Sequence, residues 1–258
     1  MSQNNYDLES KPMEYHLQDL YSLLKRVVLL VSISGIAWSL VAPQLLLEWV
    51  SMFDLQDNSS YLSIYAPFNW IEVKWSFSIM MGLVTVIPIF SFLIYRFSKP
   101  GLYPTEILPI KFILVINCFF LPISILGIWV WAVPKMVEFS ESLSKLDNVN
   151  AQYDFSEIIS LALGFSTMTV IAIILISSLL LSRIIGDASG IYSWFRPRII
   201  VISLGLLIIT MPTVFEGLRV PISLAILYIC DMSSKLYPLK EYESLSIQND
   251  TALKGRAS

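Results

Sequence analysis

The sequence predicts an all-α, polytopic membrane protein with six transmembrane helices, and two observations support that prediction. Between Arg26 and Asp231, six apolar stretches of chain contain no charged residue. Hydrophobic residues make up 55% of the chain and charged residues only 14%, which is too few charges for the surface of a water-soluble protein of this size. Because lipid offers backbone amides no hydrogen-bond partners, such stretches must be helical.

The lengths of the charge-free stretches separate four long spans from two short ones. The stretches are 27–47, 75–95, 112–134, 158–182, 199–215 and 220–230, with 21, 21, 23, 25, 17 and 11 residues. A bilayer core of roughly 30 Å requires about 20 helical residues, so we expect helices 5 and 6 to be short. The six spans are placed at about 26–48, 74–96, 110–133, 158–182, 198–213 and 218–233.

Two polar tails enclose the predicted membrane domain, which covers residues 13–238. Residues 1–12 are predicted to be a disordered tail, and residues 239–258 a polar cytoplasmic tail. Proline removes a backbone donor and tends to kink a helix, so kinked helices of unequal length are expected to form a wall with a concave side. The prolines within or beside the spans are Pro43, Pro88, Pro122, Pro212 and Pro221.

The distribution of positive charge predicts the orientation. If all six stretches cross the membrane and the N-terminus is inside, only Lys74, Lys135, Lys145 and Arg219 of the 17 lysines and arginines lie outside. Lysine and arginine near span ends tend to stay cytoplasmic, so both termini are predicted to be cytoplasmic. The first 25 residues resemble neither a signal peptide nor an import leader, so we expect a multi-pass protein of a prokaryotic cytoplasmic membrane.

Aromatic residues cluster near the predicted outer boundary. Indole and phenol rings favour the headgroup region of a bilayer, so this cluster predicts an interfacial belt. Its members are Trp49, Tyr65, Trp70, Trp75, Trp129 and Trp131. The same outer side contains Asn58-Ser59-Ser60, which matches the N-glycosylation tripeptide, a match that is frequent by chance.

A first candidate functional segment precedes the first span. Leu17, Leu20, Leu24 and Val27 recur with helical spacing, which predicts an amphipathic helix over 14–26 at the inner membrane surface. Asp19 lies on its more polar side. Asp19 is either a binding group or an acid that is only solvated.

A second candidate segment is the short inner loop 97–110, in which Glu106 is the only carboxylate. A carboxylate held at the boundary between water and lipid can bind a guanidinium through two parallel hydrogen bonds. The alternative is that Glu106 is a counter-ion for Lys99 or Arg96.

The predicted spans contain few groups able to carry chemistry. Asn117, Ser166, Thr167 and Thr169 are the polar residues noted in the third and fourth spans, and hydroxyls there usually bond to their own helix. Proton and ion pathways generally need buried acids, histidines or bases. No catalytic motif or metal-type cysteine spacing occurs, so no enzymatic activity, cofactor, metal or nucleic-acid partner is predicted, and a small-solute permease or channel subunit is the alternative function.

Five ordered segments together resemble the TatC family, the core subunit of twin-arginine protein translocases, over about residues 14–235. His16-Leu17-x-Asp19-Leu20 is similar to the family's HLxEL signature, and Ala66-Pro67-Phe68 to its outer element before the second span. The most specific segment is Phe97-x-x-Pro100-Gly101-Leu102-Tyr103-x-x-Glu106, which resembles the first cytoplasmic loop. Arg196-Pro197 and Thr210-x-Pro212-x-Val214-Phe215 are similar to the two ends of the fifth helix.

The resemblance implies a receptor that binds paired arginines in the signal peptides of folded cargo proteins and forms the core of a translocase driven by the proton-motive force. It implies a glove-shaped fold, partner subunits of TatA or TatB type, and self-association. The implied signal-peptide-binding residues are Asp19, Glu106, Phe97, Pro100, Leu102 and Tyr103. The residues implied in structure or partner docking are His16, Leu17, Leu20, Pro67, Arg196, Pro197, Pro212 and Phe215.

The chain also departs from the family pattern at three places. Tyr21 follows the N-terminal signature where the family has arginines, and the cations come later, at Lys25 and Arg26. The fourth span is apolar around Val170, where the family often has a glutamate. Thr213 follows Pro212, where the family often has an acid.

Overall fold

The protein is built of α-helices, as a computed structural model that describes residues 13–51, 67–102, 104–143, 154–186 and 191–235 shows. The helices are α1 (Met13–Val50), α2 (Pro67–Ser98), α3 (Pro104–Gly127), α4 (Val133–Leu143), α5 (Phe155–Gly186), α6 (Ile191–Thr210) and α7 (Arg219–Ser234). A π-helical turn, Ile128–Ala132, joins α3 to α4 without a break, so these seven helices form six continuous helical segments. The two predicted tails and the Asn58 tripeptide lie outside the described residues.

The helix lengths confirm the predicted all-α membrane fold with two short final helices. By length and apolar composition, four helices can cross a membrane: Leu17–Val50, Asn69–Gly101, Glu106–Ser140 and Phe155–Ile184. Helix α6 has 20 residues and α7 has 16, whereas α1 has 38. At ~1.5 Å per residue, α6 is about 30 Å long and just matches the hydrocarbon core of a bilayer, whereas α7, at about 24 Å, is shorter than the core.

Helix α1 includes the segment that the sequence assigned to a surface helix. At about 57 Å, its 38 residues exceed the thickness of the hydrocarbon core. No proline or glycine interrupts the chain between Met13 and Gly35, so nothing in the backbone favours a bend there. The predicted amphipathic segment 14–26 is therefore helical, but it forms the first turns of α1 and not a separate helix.

The chain divides into two compact units. Unit 1 contains residues 1–170 and 210–216, and unit 2 contains residues 171–209 and 217–258. Helix α5 consequently contributes its first half to unit 1 and its second half to unit 2.

Two glycines bring α1 and α2 into backbone contact in unit 1. A Cβ atom on Gly82 would lie 2.9 Å from the Gly35 nitrogen and 3.2 Å from the Val31 carbonyl oxygen. Close approach of this kind is typical of membrane helices, which associate through small residues because lipid supplies no hydrophobic drive between them. Near this contact, the Trp38 indole N–H donates to Thr85 Oγ1 at 3.0 Å.

A second set of contacts joins the end of α1 to the π-helical turn and α5. The Trp49 indole N–H donates to the Trp129 carbonyl oxygen at 2.7 Å, and the Trp129 indole N–H donates to Ser166 Oγ at 2.9 Å. Ser166 in turn donates to the Ala162 carbonyl oxygen at 2.8 Å. The ring of Phe77 in α2 packs edge-on against Trp129, with centroids 5.1 Å apart. We call this part of unit 1 the tryptophan end.

The tryptophan end corrects the predicted interfacial belt. Trp49 and Trp129 are each only 7% exposed, because their indole N–H groups are satisfied inside the protein. The belt prediction was wrong for both. Trp131 is 70% exposed and Trp75 is 48% exposed, as a belt requires, whereas Tyr65 lies outside the described residues.

The π-helical turn explains how Trp129 stays on the buried face of its helix. Leu121, Ile125, Trp129, Val133 and Val137 are all buried, at intervals of four residues. In a regular α-helix, each four-residue step rotates about 40° too far, so the first and last of these side chains would lie far apart around the axis. A π-helical turn absorbs an extra residue and reduces that drift.

The backbone after α6 is fixed against α5 in unit 1. A Cβ atom on Gly164 would lie 2.2 Å from Pro212 Cγ, so only glycine fits beneath that ring. One residue further along α5, the Phe165 ring meets the Phe215 ring edge-on, with centroids 5.8 Å apart. Pro212 lies between α6 and the 3-10 segment Thr213–Leu218, where the missing backbone donor ends the helix.

In unit 2, an ion pair joins α6 to α7, and α7 also contacts α5. Asp231 accepts from Arg196 Nε at 3.1 Å and from Arg196 Nη2 at 2.5 Å. The Cys230 thiol faces the Ala172 carbonyl oxygen at 3.9 Å. The buried face of α7 consists of Ser223, Leu227, Cys230 and Ser234.

Candidate functional site

The loop between α2 and α3 is short because a single 3-10 turn makes the connection. Helix α2 ends at Ser98, and Lys99–Gly101 forms the turn. Leu102 is extended, with φ −100° and ψ 142°, and its N–H donates to the Lys99 carbonyl oxygen at 3.4 Å. Pro104 then begins α3, where its fixed φ and missing N–H suit a first helical position.

Glu106 lies in the first turn of α3 and is half-buried. The N-terminus of a helix carries a partial positive charge, so an acid at this position stabilises the helix as well as being able to bind a cation. Of the other loop residues predicted to shape the site, Phe97 and Leu102 are half-buried and Pro100 is exposed. Tyr103 lies outside the described residues.

Asp19 lies in the first turns of α1 and is exposed. Its neighbours Leu17, Leu20, Tyr21 and Leu24 are exposed as well, with Leu17 at 57%. This segment precedes Lys25 and Arg26 and extends beyond the charge-free stretch, so it presents an apolar surface beside a carboxylate near the membrane boundary. His16 is in the same helix, but its side chain is outside the described part of the structure.

The two predicted carboxylates belong to the same end of unit 1. Helices α1 and α3 both run toward the Trp49–Trp129 contact, so their first turns lie at the opposite end of the unit. The last turn of α2, the 3-10 turn and Glu106 are at that end too. We call it the Glu106 end. It brings together an exposed acid, a half-buried acid and exposed leucines, a combination suited to a peptide with both cationic and apolar side chains.

The other predicted residues lie in or beside helices, and some of them make contacts between helices. Pro67 begins α2, with its side chain outside the described part. Pro212 is buried against Gly164, and Phe215 contacts Phe165. Arg196 is paired with Asp231, while Pro197 in α6 is exposed. The pairing of Asp231 with Arg196 and Lys235 was not predicted, although the four-residue spacing of Asp231 and Lys235 was a usable signal for the second pair.

The polar groups of α5 do not form a pathway. Ser166, Thr167, Thr169 and Ser177 each donate to the carbonyl oxygen of the residue four positions earlier in their own helix. Within the described ranges, no three His, Cys, Asp or Glu side chains gather as metal ligands would.

These features define a multi-pass α-helical membrane protein with a short polar loop between its second and third helices. The chain belongs to the TatC family: the family model described as Sec-independent protein translocase protein (TatC) matches residues 15–222. It is therefore a component of the Sec-independent, or twin-arginine, translocase, a transport system.

Two solved structures share this fold. The crystal structure of the twin arginine translocase receptor TatC is 18% identical, with a TM-score of 0.64, over 85% of this chain and 96% of that one. The crystal structure of the same receptor in DDM is 19% identical, with a TM-score of 0.63, over 86% and 98% of the two chains. A comparison with curated proteins finds no match.

Proposed function

We propose that this chain is the receptor for twin-arginine signal peptides within its translocase. The observation that supports this role is the Glu106 end of unit 1, where Asp19 and Glu106 accompany the exposed side chains of Leu17, Leu20 and Leu24. A twin-arginine signal peptide carries paired guanidinium groups followed by an apolar segment, and both have a complementary partner there. Arginine suits this task because its planar fork can bind a carboxylate with two hydrogen bonds.

The proposed roles of the two acids differ with their surroundings. Glu106 is half-buried at the start of a helix that follows a tight turn, so its carboxylate loses little conformational entropy on binding. Asp19 is exposed on a helix that no described segment covers at that point. Glu106 is therefore proposed as the main contact with one arginine, and Asp19 as a weaker contact with the other. Phe97, Pro100 and Leu102 are proposed to shape the loop around Glu106, and the resemblance implies the same role for Tyr103, which lies outside the described residues.

The wider assignment follows the family. The chain is proposed to move folded proteins with the proton-motive force, together with single-span subunits of TatA or TatB type and further copies of itself. It lacks the acid that the family often carries in the fourth span, near Val170. A small-solute permease would need polar groups turned to a pathway, whereas Ser166, Thr167 and Thr169 each bond within α5.

The decisive test replaces Glu106. In membranes that contain the complete translocase, Glu106→Ala should weaken binding of a twin-arginine peptide by ~30-fold or more, because removing one partner of a charge-assisted pair costs on the order of 2–5 kcal/mol. Glu106→Gln should fail as well, because an amide offers a donor where a guanidinium needs two acceptors. The measurement is affinity for a labelled twin-arginine peptide against its Lys-Lys version.

Glu157→Ala is the matched control for this test. Glu157 is also an acid in the first turn of a helix, α5, but it lies near the tryptophan end. Both substitutions remove a favourable charge from a helix N-terminus, worth about 0.3–1 kcal/mol, so the control isolates binding from helix stability. Unchanged peptide affinity in Glu106→Ala would instead identify Glu106 as a counter-ion for Lys99 or Arg96.

Orientation is proposed from the cation distribution, with both termini and the Glu106 end on the cytoplasmic side of a prokaryotic cytoplasmic membrane. A background without Cys118 and Cys230 allows single cysteines to report the side. A cysteine in place of Ser140 should react with an impermeant thiol reagent in intact cells, and one in place of Ser98 should react only after lysis. The reverse labelling would invert the orientation.

A further inference from the structure

In unit 2, one carboxylate is shared by two cations. Asp231 Oδ1 accepts from the Arg196 guanidinium, and Asp231 Oδ2 lies 2.8 Å from Lys235 Nζ. The side chains of Arg196, Asp231 and Lys235 are 31%, 18% and 53% exposed, so the group is accessible from outside the chain. Three side chains from the first turns of α6 and the end of α7 thus form one cluster with an excess of one positive charge.

The cluster lies at the ends of two apolar helices, which is where lipid headgroups are expected. Residues 199–210 of α6 and 220–230 of α7 carry no charge, and the cluster lies where α6 begins and α7 ends. The ends of membrane helices lie near the headgroups, where the dielectric is lower than in water and an excess cation attracts a second anion. Basic groups between membrane helices are a known arrangement for binding anionic headgroups.

We propose that Arg196 and Lys235 bind the phosphate of an anionic phospholipid headgroup, with Asp231 holding the two cations in position. Asp231 uses one of the three ammonium donors of Lys235, and the half-exposed ammonium can direct the others to a phosphate. Charge-assisted bonds from arginine and lysine to phosphate are among the stronger contacts that proteins make.

The neighbouring surface favours a lipid over a soluble phosphate. Tyr228, Ile229 and Met232, all within one turn of Asp231 on α7, are exposed large side chains. An acyl chain attached to the bound phosphate would cover such side chains, whereas inorganic phosphate would leave them uncovered. The ligand is therefore a lipid that is held at both its headgroup and its chain.

The experiment is native mass spectrometry of the full chain, purified in detergent and incubated with phosphatidylglycerol or with phosphatidylcholine. Wild type should retain phosphatidylglycerol in preference to phosphatidylcholine, and Lys235→Gln should lower that retention about five-fold, the effect of one cation near a membrane surface. Lys235→Gln is suitable because Lys235 follows the last turn of α7 and its loss leaves the Arg196–Asp231 pair intact.

Two controls separate a built site from diffuse charge. Arg198→Gln removes a cation from the same end of α6, but two residues along a helix place it about 200° around the axis from Arg196. Lys135→Gln removes a lysine that also pairs with an acid, Glu138, in unit 1. Both should retain phosphatidylglycerol as wild type does.

Three results would overturn the proposal. Equal losses in Lys235→Gln and Arg198→Gln would show that charge alone attracts the lipid. Equal retention by wild type and Lys235→Gln would show that the cluster binds no lipid. Displacement of phosphatidylglycerol by millimolar inorganic phosphate would identify a site for soluble anions.

Discussion

The tryptophan end and the Glu106 end of unit 1 differ in how their helices are held. In α1, the buried residues all lie between Gly35 and Trp49, in the part of the helix nearer the tryptophan end, and none of the residues 17–34 is buried. Helix α2 has no buried residue from 87 to 98, and in α3 only Ile110 is buried near Glu106. Buried residues are therefore concentrated at one end, whereas the described side chains of the other end are mostly exposed or half-buried. Substitutions at the two ends should therefore affect different measurements.

The largest effect on stability is expected at Gly164. Gly164→Ala places a Cβ within 2.2 Å of Pro212 Cγ, and a proline ring cannot rotate away, so backbone must move. Overpacking of this kind costs typically about 1–3 kcal/mol. The measurement is the thermal midpoint of the purified protein in detergent.

Gly127→Ala provides the matched control, because nothing lies within 4 Å of a Cβ added at Gly127. Alanine is favoured over glycine in helices by up to about 1 kcal/mol, so this variant should be neutral or more stable. If both variants have the same midpoint, Pro212 does not anchor the chain on α5.

A smaller loss of stability is expected from Trp129→Phe. The variant keeps an aromatic ring against Phe77 and Trp49 but removes the donor to Ser166. Hydrogen bonds between membrane helices contribute about 0.6 kcal/mol on average and up to about 1.7 kcal/mol, and this buried one should be near the upper value.

Trp131→Phe is the control for that substitution, because Trp131 is exposed and only two residues away. It should change the thermal midpoint little, and neither variant should alter peptide affinity. Impaired peptide binding in Trp129→Phe would mean that the two ends are coupled.

The smallest effect is expected at Asp19. Asp19→Ala should weaken twin-arginine peptide binding by less than about ten-fold, because an exposed ion pair contributes only ~1 kcal/mol or less. Asp19→Glu should bind normally, since the family signature has glutamate at that position. Stability should be unchanged in both. A loss as large as that of Glu106→Ala would contradict the proposed ranking of the two acids.

The number of helices was predictable because a membrane-spanning helix needs a long stretch of chain without charges. The six helices and the two short final ones follow from the spacing of Arg26, Glu157, Arg198 and the other charges. By contrast, the burial of Trp129 was not predictable, because a tryptophan at a membrane boundary can lie equally well in the lipid headgroup region or in the protein core. Its acceptor, Ser166, is 37 positions away on another helix.

Other features depend on contacts that no local pattern encodes. The π-helical turn follows from packing against α1 and α5, and the fit of Gly164 beneath Pro212 joins segments far apart in the sequence. At the candidate site, spacing and charge identified Asp19 and Glu106 as candidate binding groups, and the resemblance specified the ligand as the paired arginines of a signal peptide. The predicted topology placed both acids on the inner side of the membrane, and the directions of α1 and α3 agree with it, because the first turns of both helices lie at one end of unit 1.

The unbroken helix from Pro104 to Leu143 has a mechanical consequence. Trp129 is hydrogen-bonded to both Trp49 and Ser166, which makes it the pivot of any tilt of this helix. Glu106 lies about 35 Å from Trp129 in one direction along the helix, and Leu143 lies about 21 Å from it in the other. A sideways displacement of about 5 Å at Glu106 would swing Leu143 by about 3 Å in the opposite direction if the rod tilts as one body. A displacement of the helix at one face of the membrane would then move its other end at the opposite face, with no change in the internal structure of the helix.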